Sequence, residues 1–226
     1  RCSLMINIAV DGPSGSGKSS LAKTISKMLN ILYLDTGALY RAVGYTVLHQ
    51  YGESFTEDQV VSLLPSLTVD LRYEDSVQHV LVNGEDVSSF LRTQPVAMAA
   101  SRVSAFPPVR EFLLDLQREI AARNDVIMDG RDVGTVILPH ADVKIFLTAK
   151  PEVRAKRRVG ELAEKGIEAN FETVLQEVLQ RDHNDSTRAV APLRQADDAT
   201  LLDNSSLDME GTLTAALEII RNKVSL

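Results

Sequence analysis

The glycine-rich run GPSGSGKS at residues 12–19 constrains the fold of this chain more than any other feature. It matches the pattern G-x-x-x-x-G-K-[ST], in which glycines let backbone N–H groups turn inward around a phosphate. Residues 6–11 are an apolar run typical of a buried parallel strand, and residues 19–30 repeat apolar side chains at helical spacing. Strand, turn and helix in this order predict a nucleoside triphosphate site, whereas a glycine-rich connector without a ligand is the alternative.

Two side chains at the end of this run have the chemistry that a triphosphate needs. The Lys18 ammonium is expected to reach the β- and γ-phosphates, and the Ser19 hydroxyl is expected to ligate Mg²⁺. No N-K-x-D guanine motif follows at a suitable position, so we predict ATP rather than GTP as the nucleotide. The predicted cofactor is therefore Mg²⁺, bound together with ATP.

The composition excludes several other kinds of protein. With 226 residues, of which 44% are hydrophobic, the chain is typical of a globular domain with one sizeable core. No apolar stretch approaches the roughly 18 residues of a membrane span, and a net charge of −7 disfavours binding to nucleic acid. The single cysteine, Cys2, excludes a disulfide framework and a cysteine zinc site, and the four histidines lack metal-ligand spacing.

These exclusions predict a cytoplasmic location, with no membrane partner, no nucleic-acid partner and no obligate protein partner. Met5 is expected to be the natural start of the chain, with residues 1–4 as an added tail. Too few residues precede the first motif for a signal peptide.

Alternating strand-like and helical segments predict an α/β fold. Further strands are predicted at residues 31–34, 126–128, 143–147 and 200–202. Helices are predicted from residue 36 onward and at residues 57–64, 94–104, 107–123, 151–165, 171–185 and 209–224. This alternation predicts a mainly parallel sheet covered by helices on both faces.

Residues 65–92 interrupt the alternation. The runs VDLRY and VQHVLV indicate strands, and Asn83-Gly84 is a tight-turn signal. We interpret this segment as a small inserted β subdomain, with the core of the protein formed by residues 5–64 and 93–226.

The segment Asp129-Gly130-Arg131-Asp132 follows the predicted strand at 126–128. Ligands of open α/β sheets bind beyond the carboxyl ends of the strands, so these polar residues are site candidates. Gly130 allows close approach of the backbone to a ligand, Arg131 offers a fork for phosphate, and Asp132 offers an acceptor. A turn with an internal ion pair is the alternative.

Arginines recur at spacings of three and four residues in two helical segments, and this spacing places neighbouring members on one helix face. The two groups are Arg154, Arg157 and Arg158, and then Arg181, Asp182, Asp185 and Arg188. A solvated, salt-bridged face is the usual meaning of such runs. With a phosphate-binding turn in the same chain, they instead indicate charge neutralisation for phosphoryl transfer. We therefore predict a P-loop kinase core with a short lid at about residues 158–190, where Gly160 and Gly166 bracket a connection.

Four segments together resemble the cytidylate kinases of bacteria: GPSGSGKS, LDTGALYR at 34–41, DGRDVGTVILPHADVKIFL at 129–147 and RDHNDSTRAVAPL at 181–193. The resemblance extends over nearly the whole chain, including the inserted β segment. It implies a P-loop nucleoside monophosphate kinase that transfers the γ-phosphoryl group of ATP to CMP or dCMP. Thr36 stands where that family often has serine, which keeps the hydroxyl.

The resemblance also implies three sets of site residues. The ATP-binding set is Gly12, Pro13, Ser14, Gly15, Ser16, Gly17, Lys18, Ser19, Ser20, Arg154, Arg157 and Arg158. The CMP-binding set is Thr36, Tyr40, Arg41, Ser101, Arg110, Arg131, Asp132, Arg181, Asp185 and Arg188. The catalytic set is Lys18, Arg131, Arg158, Arg181 and Arg188.

Within the CMP set, the resemblance implies a division of roles. Arg41, Arg131 and Arg188 would bind the monophosphate, Ser101, Arg110 and Asp132 would read cytosine, and Arg181 and Asp185 would lie near the ribose. Ser19 is the predicted metal ligand, and either Asp35 or Asp129 would support the metal.

The chemistry of cytosine fits these residue types. Its exocyclic amine needs an acceptor such as Asp132, which would repel the carbonyl that uracil carries there. The acceptor phosphate is already anionic near neutral pH, so no general base is required. The alternatives are another small-acceptor kinase, such as a UMP/CMP, adenylate or shikimate kinase, and a nucleotide-binding regulator without catalytic activity.

Overall fold

The structure is a computed structural model that describes residues 5–75 and 77–224. Cys2 and the predicted tail before Met5 lie outside the described residues. None of the described helices is both long enough and apolar enough to cross a membrane. The chain divides into two compact units, one comprising Ile31–Val126 and the other comprising Ile6–Asn30 together with the residues from Ile127 onward.

The described residues form strands and helices at the following positions. The strands are β1 (Asn7–Asp11), β2 (Leu32–Asp35), β3 (Val69–Glu74), β4 (Val77–Val82), β5 (Glu85–Asp86), β6 (Val126–Gly130), β7 (Val143–Thr148) and β8 (Thr200–Asp203). The helices are α1 (Lys18–Leu29), α2 (Thr36–Tyr51), α3 (Glu57–Leu63), α4 (Gln94–Val103), α5 (Pro107–Arg123), α6 (Pro151–Glu164), α7 (Phe171–Thr187) and α8 (Met209–Lys223).

The unit that contains the phosphate-binding turn is built on a parallel sheet. Its strands lie in the order β6, β1, β7, β8, and Ile8 of β1 is opposite Val143 of β7 in parallel register. The apolar runs that predict these strands are buried, because helices including α1 and α8 pack on the sheet. The sequence prediction of an α/β fold with a mainly parallel sheet is confirmed. The carboxyl ends of these strands carry Asp11, Asp129 and Asp203.

The other unit combines helices with a small antiparallel sheet. Helix α2 packs against α4, and apolar side chains from both contribute to a buried core. Strands β3, β4 and β5 pair antiparallel, with Val69 opposite Val82. Asn83 and Gly84 both have positive φ between β4 and β5, so the predicted tight turn is confirmed. This sheet lies within the predicted segment 65–92, and the subdomain boundaries stay a prediction.

The structure differs from the sequence predictions at two connections. Gly160 lies inside α6, so the connection to α7 begins only at Lys165, where Gly166 has a φ of 73°. The reason is that a glycine within a helix costs only about 1 kcal/mol and does not end it. Val133–Ile137 form a π-helical turn that the sequence did not predict, because five residues are too few to show a period.

Candidate active site

The phosphate-binding turn requires glycine at its first position. Gly12 has a φ of 150°, and a Cβ there would lie 1.9 Å from the backbone oxygen of Leu147. No other residue fits against β7 at this point. The turn ends at Gly17, whose φ of 92° leads directly into α1. The first N–H groups of α1 and its positive dipole end therefore adjoin the turn, which is the arrangement that binds anions.

Backbone carbonyls of the turn are held by side chains from α6 and from the residue after β8. Arg154 donates to the Ser14 carbonyl at 2.9 Å, and Asn204 donates to the Ser16 carbonyl at 3.0 Å. Arg157 donates to the Ser16 carbonyl at 3.4 Å and to the Asn204 carbonyl at 2.9 Å. These bonds fix the conformation of the turn. Asn204 is absent from the predicted set, although its place directly after a strand was a usable signal.

The three arginines predicted on one face of α6 have different surroundings. The guanidinium of Arg154 also forms a bidentate pair with Asp182 and donates from Nε to the Ala149 carbonyl at 2.8 Å. All three of its nitrogens thus bond to protein acceptors, which places Arg154 in support of the turn. Arg158 is exposed and pairs with Glu161 at 3.2 Å. The contacts of these arginines with ATP stay predictions.

Lys18 is buried within the turn that it belongs to. Its Nζ donates to the Pro13 carbonyl at 2.7 Å and lies 3.4 Å from the Ser16 hydroxyl. Burial holds the pKa of Lys18 well below its usual range, and the positive charge of Arg131 lowers this pKa further. A bound polyphosphate would supply the negative charge that stabilises the ammonium form. Ser20, which follows the phosphate-binding turn in the predicted ATP set, is exposed on α1.

The Ser19 hydroxyl is paired with a carboxylate. Its Oγ donates to Asp129 Oδ2 at 2.8 Å, and Asp129 is buried at the end of β6. Hydroxyl and carboxylate oxygens are hard donors of the kind that Mg²⁺ prefers, so these residues fit the implied metal. Asp35, the other candidate, accepts from Ala38 N at 3.0 Å at the start of α2 and pairs with Arg41 at 2.6 Å. Which of the two carboxylates would support the metal stays a prediction.

Two arginines of the predicted CMP set form ion pairs with two aspartates of the same set. Arg131 Nε donates to Asp185 Oδ2 at 2.8 Å, and Arg188 Nη2 lies 3.4 Å from Asp132 Oδ1. Although burial opposes it, the charge and hydrogen bond of Arg131 hold the pKa of Asp185 below its usual range. Arg181 lies close enough for its charge to lower this pKa as well. The structure thus brings together the predicted arginine and aspartate residues of this unit.

Sequence reasoning missed Asp11, which is buried at the end of β1. Its two carboxylate oxygens accept from Val133 N at 2.8 Å and from Gly134 N at 2.7 Å. Burial raises the pKa of Asp11 to about 6, although these two hydrogen bonds oppose the rise. Its position at a strand end is the same signal that pointed to Asp129.

The unit Ile31–Val126 carries the other predicted CMP residues. Asp35 caps helix α2, and Arg41 lies on this helix. The Arg41 Nε atom is buried and has no hydrogen-bond partner in the described part of the chain. Asp35 N in turn donates to Gln78 Oε1 at 2.8 Å, so a side chain of β4 holds the start of this helix. Gln78 is a supporting residue that no sequence pattern predicts. Thr36 opens the same helix and is buried.

Tyr40, Ser101 and Arg110 are also close to one another in this unit. The Arg110 guanidinium lies 5.3 Å from the centre of the Tyr40 ring, within range of a cation–π contact. Its Nη1 donates to the Ser104 carbonyl at 3.0 Å, and the Ser104 hydroxyl donates to the Ser101 carbonyl at 2.9 Å. Ser101 and Arg110, the two residues of this unit predicted to read cytosine, therefore lie close together.

The family model for cytidylate kinase matches residues 8–222 of the chain. The chain belongs to the cytidylate kinase family. A cytidylate kinase of Carboxydothermus hydrogenoformans is 45% identical over 96% of this chain and 98% of its own length. Cytidylate kinases of Caldicellulosiruptor saccharolyticus and Shigella sonnei are each 46% identical, covering 95% and 97% of this chain and 95% and 96% of their own lengths.

Membership of the cytidylate kinase family confirms the predicted resemblance and the predicted class of enzyme, a kinase. The assignment of individual residues to ATP, CMP and Mg²⁺ stays a prediction, as does the lid at residues 158–190. The cytoplasmic location and the lack of a nucleic-acid or obligate protein partner also stay predictions.

The raised pKa of the buried Asp11 predicts that the stability of this cytidylate kinase family member depends on pH. Its pKa is about 6 when folded, against an ordinary value of 3.8, so the folded chain holds this proton more tightly than the unfolded chain does. The resulting stabilisation is complete below the unfolded pKa and is lost as the pH rises through about 6. Relative to Asp11→Asn, the free energy of unfolding of the wild type should fall by on the order of 3 kcal/mol between about pH 4 and pH 7. Urea unfolding of both proteins measures this difference, and parallel pH profiles would contradict it.

Proposed function

We propose that this chain transfers the γ-phosphoryl group of ATP to CMP or dCMP, giving ADP and CDP or dCDP. The observation that carries the proposal is the phosphate-binding turn, with Lys18 buried inside it and Ser19 bonded to Asp129. This combination of ammonium, hydroxyl and carboxylate suits a magnesium–triphosphate ligand. Membership of the cytidylate kinase family supports the choice of acceptor.

The ATP site is proposed at this turn and on α6. Backbone N–H groups of the turn bind the phosphates, and the Lys18 ammonium neutralises the β- and γ-phosphates. Ser19 would hold Mg²⁺, with Asp129 as the supporting carboxylate, and the bound ion would supply positive charge that helps to neutralise the phosphates. The exposed side chain of Arg158 is proposed to neutralise charge on the transferred group.

The CMP site is proposed to use the residues implied by the resemblance. Its members are Thr36, Tyr40, Arg41, Ser101, Arg110, Arg131, Asp132, Arg181, Asp185 and Arg188. The phosphate oxygen of CMP attacks the γ-phosphorus in line, and the leaving group is ADP. Because the second pKa of a phosphate monoester is about 6, the attacking oxygen carries no proton to remove at neutral pH. Catalysis is then positioning and charge neutralisation, with Arg131, Arg181 and Arg188 on the acceptor side.

Asp132 is proposed to accept a hydrogen bond from the cytosine amine, directly or through a water. Asp132→Asn keeps the shape but can present an amide donor to a carbonyl, so kcat/KM should fall more for CMP than for UMP. The competing explanation is that Asp132 serves only to hold Arg188, which lies 3.4 Å away. In that case both substrates lose the same factor. Side-by-side kcat/KM values for CMP and UMP decide between them, and an unchanged ratio would refute direct readout.

Acceptor-dependent turnover tests the proposed activity. ADP release from ATP should require CMP, produce CDP in equal amount, and stop when EDTA removes Mg²⁺. ADP release that is indifferent to CMP would contradict the proposal. Nucleotide binding without any turnover would instead favour the alternative of a non-catalytic regulator.

A further inference from the structure

Asp11 connects the end of β1 to the segment that carries Arg131 and Asp132. It is 5% exposed, and its carboxylate accepts two backbone N–H bonds at 2.8 and 2.7 Å from Val133 and Gly134. Hydrogen bonds to an ionised carboxylate are about twice as strong as those between neutral groups. Two of them on consecutive N–H groups fix both the position and the orientation of the backbone they hold.

The two N–H groups that bond to Asp11 belong to the first two residues of the π-helical turn Val133–Ile137. The carbonyl of Asp132, the residue before this turn, accepts the first hydrogen bonds within it. The Asp132 carbonyl accepts from Val136 N at 2.9 Å and from Ile137 N at 3.2 Å. Asp11 therefore holds the backbone immediately after the two side chains proposed to bind CMP. Arg131 and Asp132 have side-chain partners of their own in Asp185 and Arg188, but those bonds fix side chains and not this backbone.

The phosphate-binding turn begins at Gly12, directly after Asp11, but side chains other than Asp11 support it. Its carbonyls are held by Arg154 at Ser14, and by Arg157 and Asn204 at Ser16. The negative charge of Asp11 is only a minor contribution that raises the pKa of Lys18 against the larger effects of burial and of Arg131. A bound polyphosphate supplies negative charge that stabilises the ammonium in its place, so removing the Asp11 charge should weaken polyphosphate binding little.

We propose that Asp11 is a positioning residue for the acceptor side of the reaction: through Val133 N and Gly134 N it sets Arg131 and Asp132 for CMP. This inference rests on the proposed function, because it takes Arg131 and Asp132 as CMP contacts. The competing role is support of the phosphate-binding turn alone.

Asp11→Asn separates the two roles while keeping the shape of the side chain. An amide has one acceptor oxygen, and its NH₂ group would face an N–H donor, so one of the two bonds is lost. We expect kcat/KM for CMP at saturating ATP to fall by about tenfold or more, from the loss of a charge-assisted bond. The Kd of MgADP, measured by calorimetry, should stay within about threefold of wild type. The matched control is Asp208→Asn, which alters a carboxylate that accepts from Gly211 N at 2.8 Å, and should change neither value.

The outcomes are distinct. Equal losses in CMP turnover and ADP binding would assign Asp11 to the turn and overturn the inference, as would unchanged CMP kinetics. If Asp11→Asn does not fold, Gly134→Ala tests the same bond, because its Cβ would lie 3.3 Å from Asp11 Oδ2 and 3.1 Å from Lys144 Cδ. Gly134→Ala should lower kcat/KM for CMP and leave the Kd of MgADP within about threefold of wild type. Equal losses in CMP turnover and MgADP binding would overturn the inference. Wild type without CMP-dependent turnover would instead show that the proposed function is wrong.

Discussion

Lys18→Ala should lower kcat for CMP-dependent ADP release by about 10³-fold or more, which corresponds to roughly 4 kcal/mol of transition-state stabilisation. The Lys18 ammonium is a positive charge buried within the phosphate-binding turn, where its Nζ is 2.7 Å from the Pro13 carbonyl. Charge neutralisation is the main catalytic contribution that a protein can make to phosphoryl transfer. The backbone of the turn is held by Arg154, Arg157 and Asn204, so the turn should persist without the lysine.

The matched control for this substitution is Lys27→Ala, on the exposed side of the same helix α1. Steady-state kinetics with CMP and thermal unfolding would be measured for both variants. We expect Lys27→Ala to retain wild-type kinetics, and Lys18→Ala to lose turnover while still unfolding cooperatively. Turnover of Lys18→Ala within a few-fold of wild type would contradict the proposed role of the turn.

Arg188→Ala should lower kcat/KM for CMP by about 10²-fold or more, because it removes the proposed charge-assisted contact with the acceptor phosphate. The Arg188 side chain is 7% exposed and its Nε donates to the Ala191 carbonyl at 2.6 Å, which holds the guanidinium in place beside Asp132. A residue that serves only as an ion-pair partner would change stability and leave the kinetics nearly unaltered.

The comparison for Arg188 is Arg123→Ala, which breaks an exposed ion pair with Glu119 on α5. Pairs of this kind contribute about 0–1 kcal/mol to stability, so the rate should not change. The KM for ATP, measured alongside, should be similar in wild type and Arg188→Ala. Normal kcat and KM for CMP in Arg188→Ala would assign this residue to a structural ion pair.

The parts of the site that the sequence predicts are those with a local signal. The phosphate-binding turn is a continuous motif, and Asp129 and Asp132 follow an apolar strand whose end is easy to find. The helical spacing of Arg154 and Arg157 correctly places both on α6. What spacing does not give is their partners, since Asn204 and Asp182 reach them through tertiary packing.

The supporting residues that the sequence does not predict bond to backbone far along the chain. Asp11 and Val133 are 122 residues apart, and Gln78 and Asp35 are 43 residues apart. A side chain that binds a distant N–H leaves no periodicity and needs no second polar side chain. The π-helical turn at Val133–Ile137 depends on the same kind of contact, so its shape and its support by Asp11 are visible only in the structure.

The acceptor preference of the wild-type protein tests the account most directly. With ATP and Mg²⁺ held at saturation, kcat/KM would be measured in parallel for CMP, dCMP, UMP, AMP and shikimate. With the proposed carboxylate at the base and the proposed arginines at the phosphate, kcat/KM for CMP or dCMP should exceed that for each of the other acceptors by about tenfold or more. A higher kcat/KM for UMP, AMP or shikimate than for both CMP and dCMP, or no dependence on any acceptor, would contradict the account.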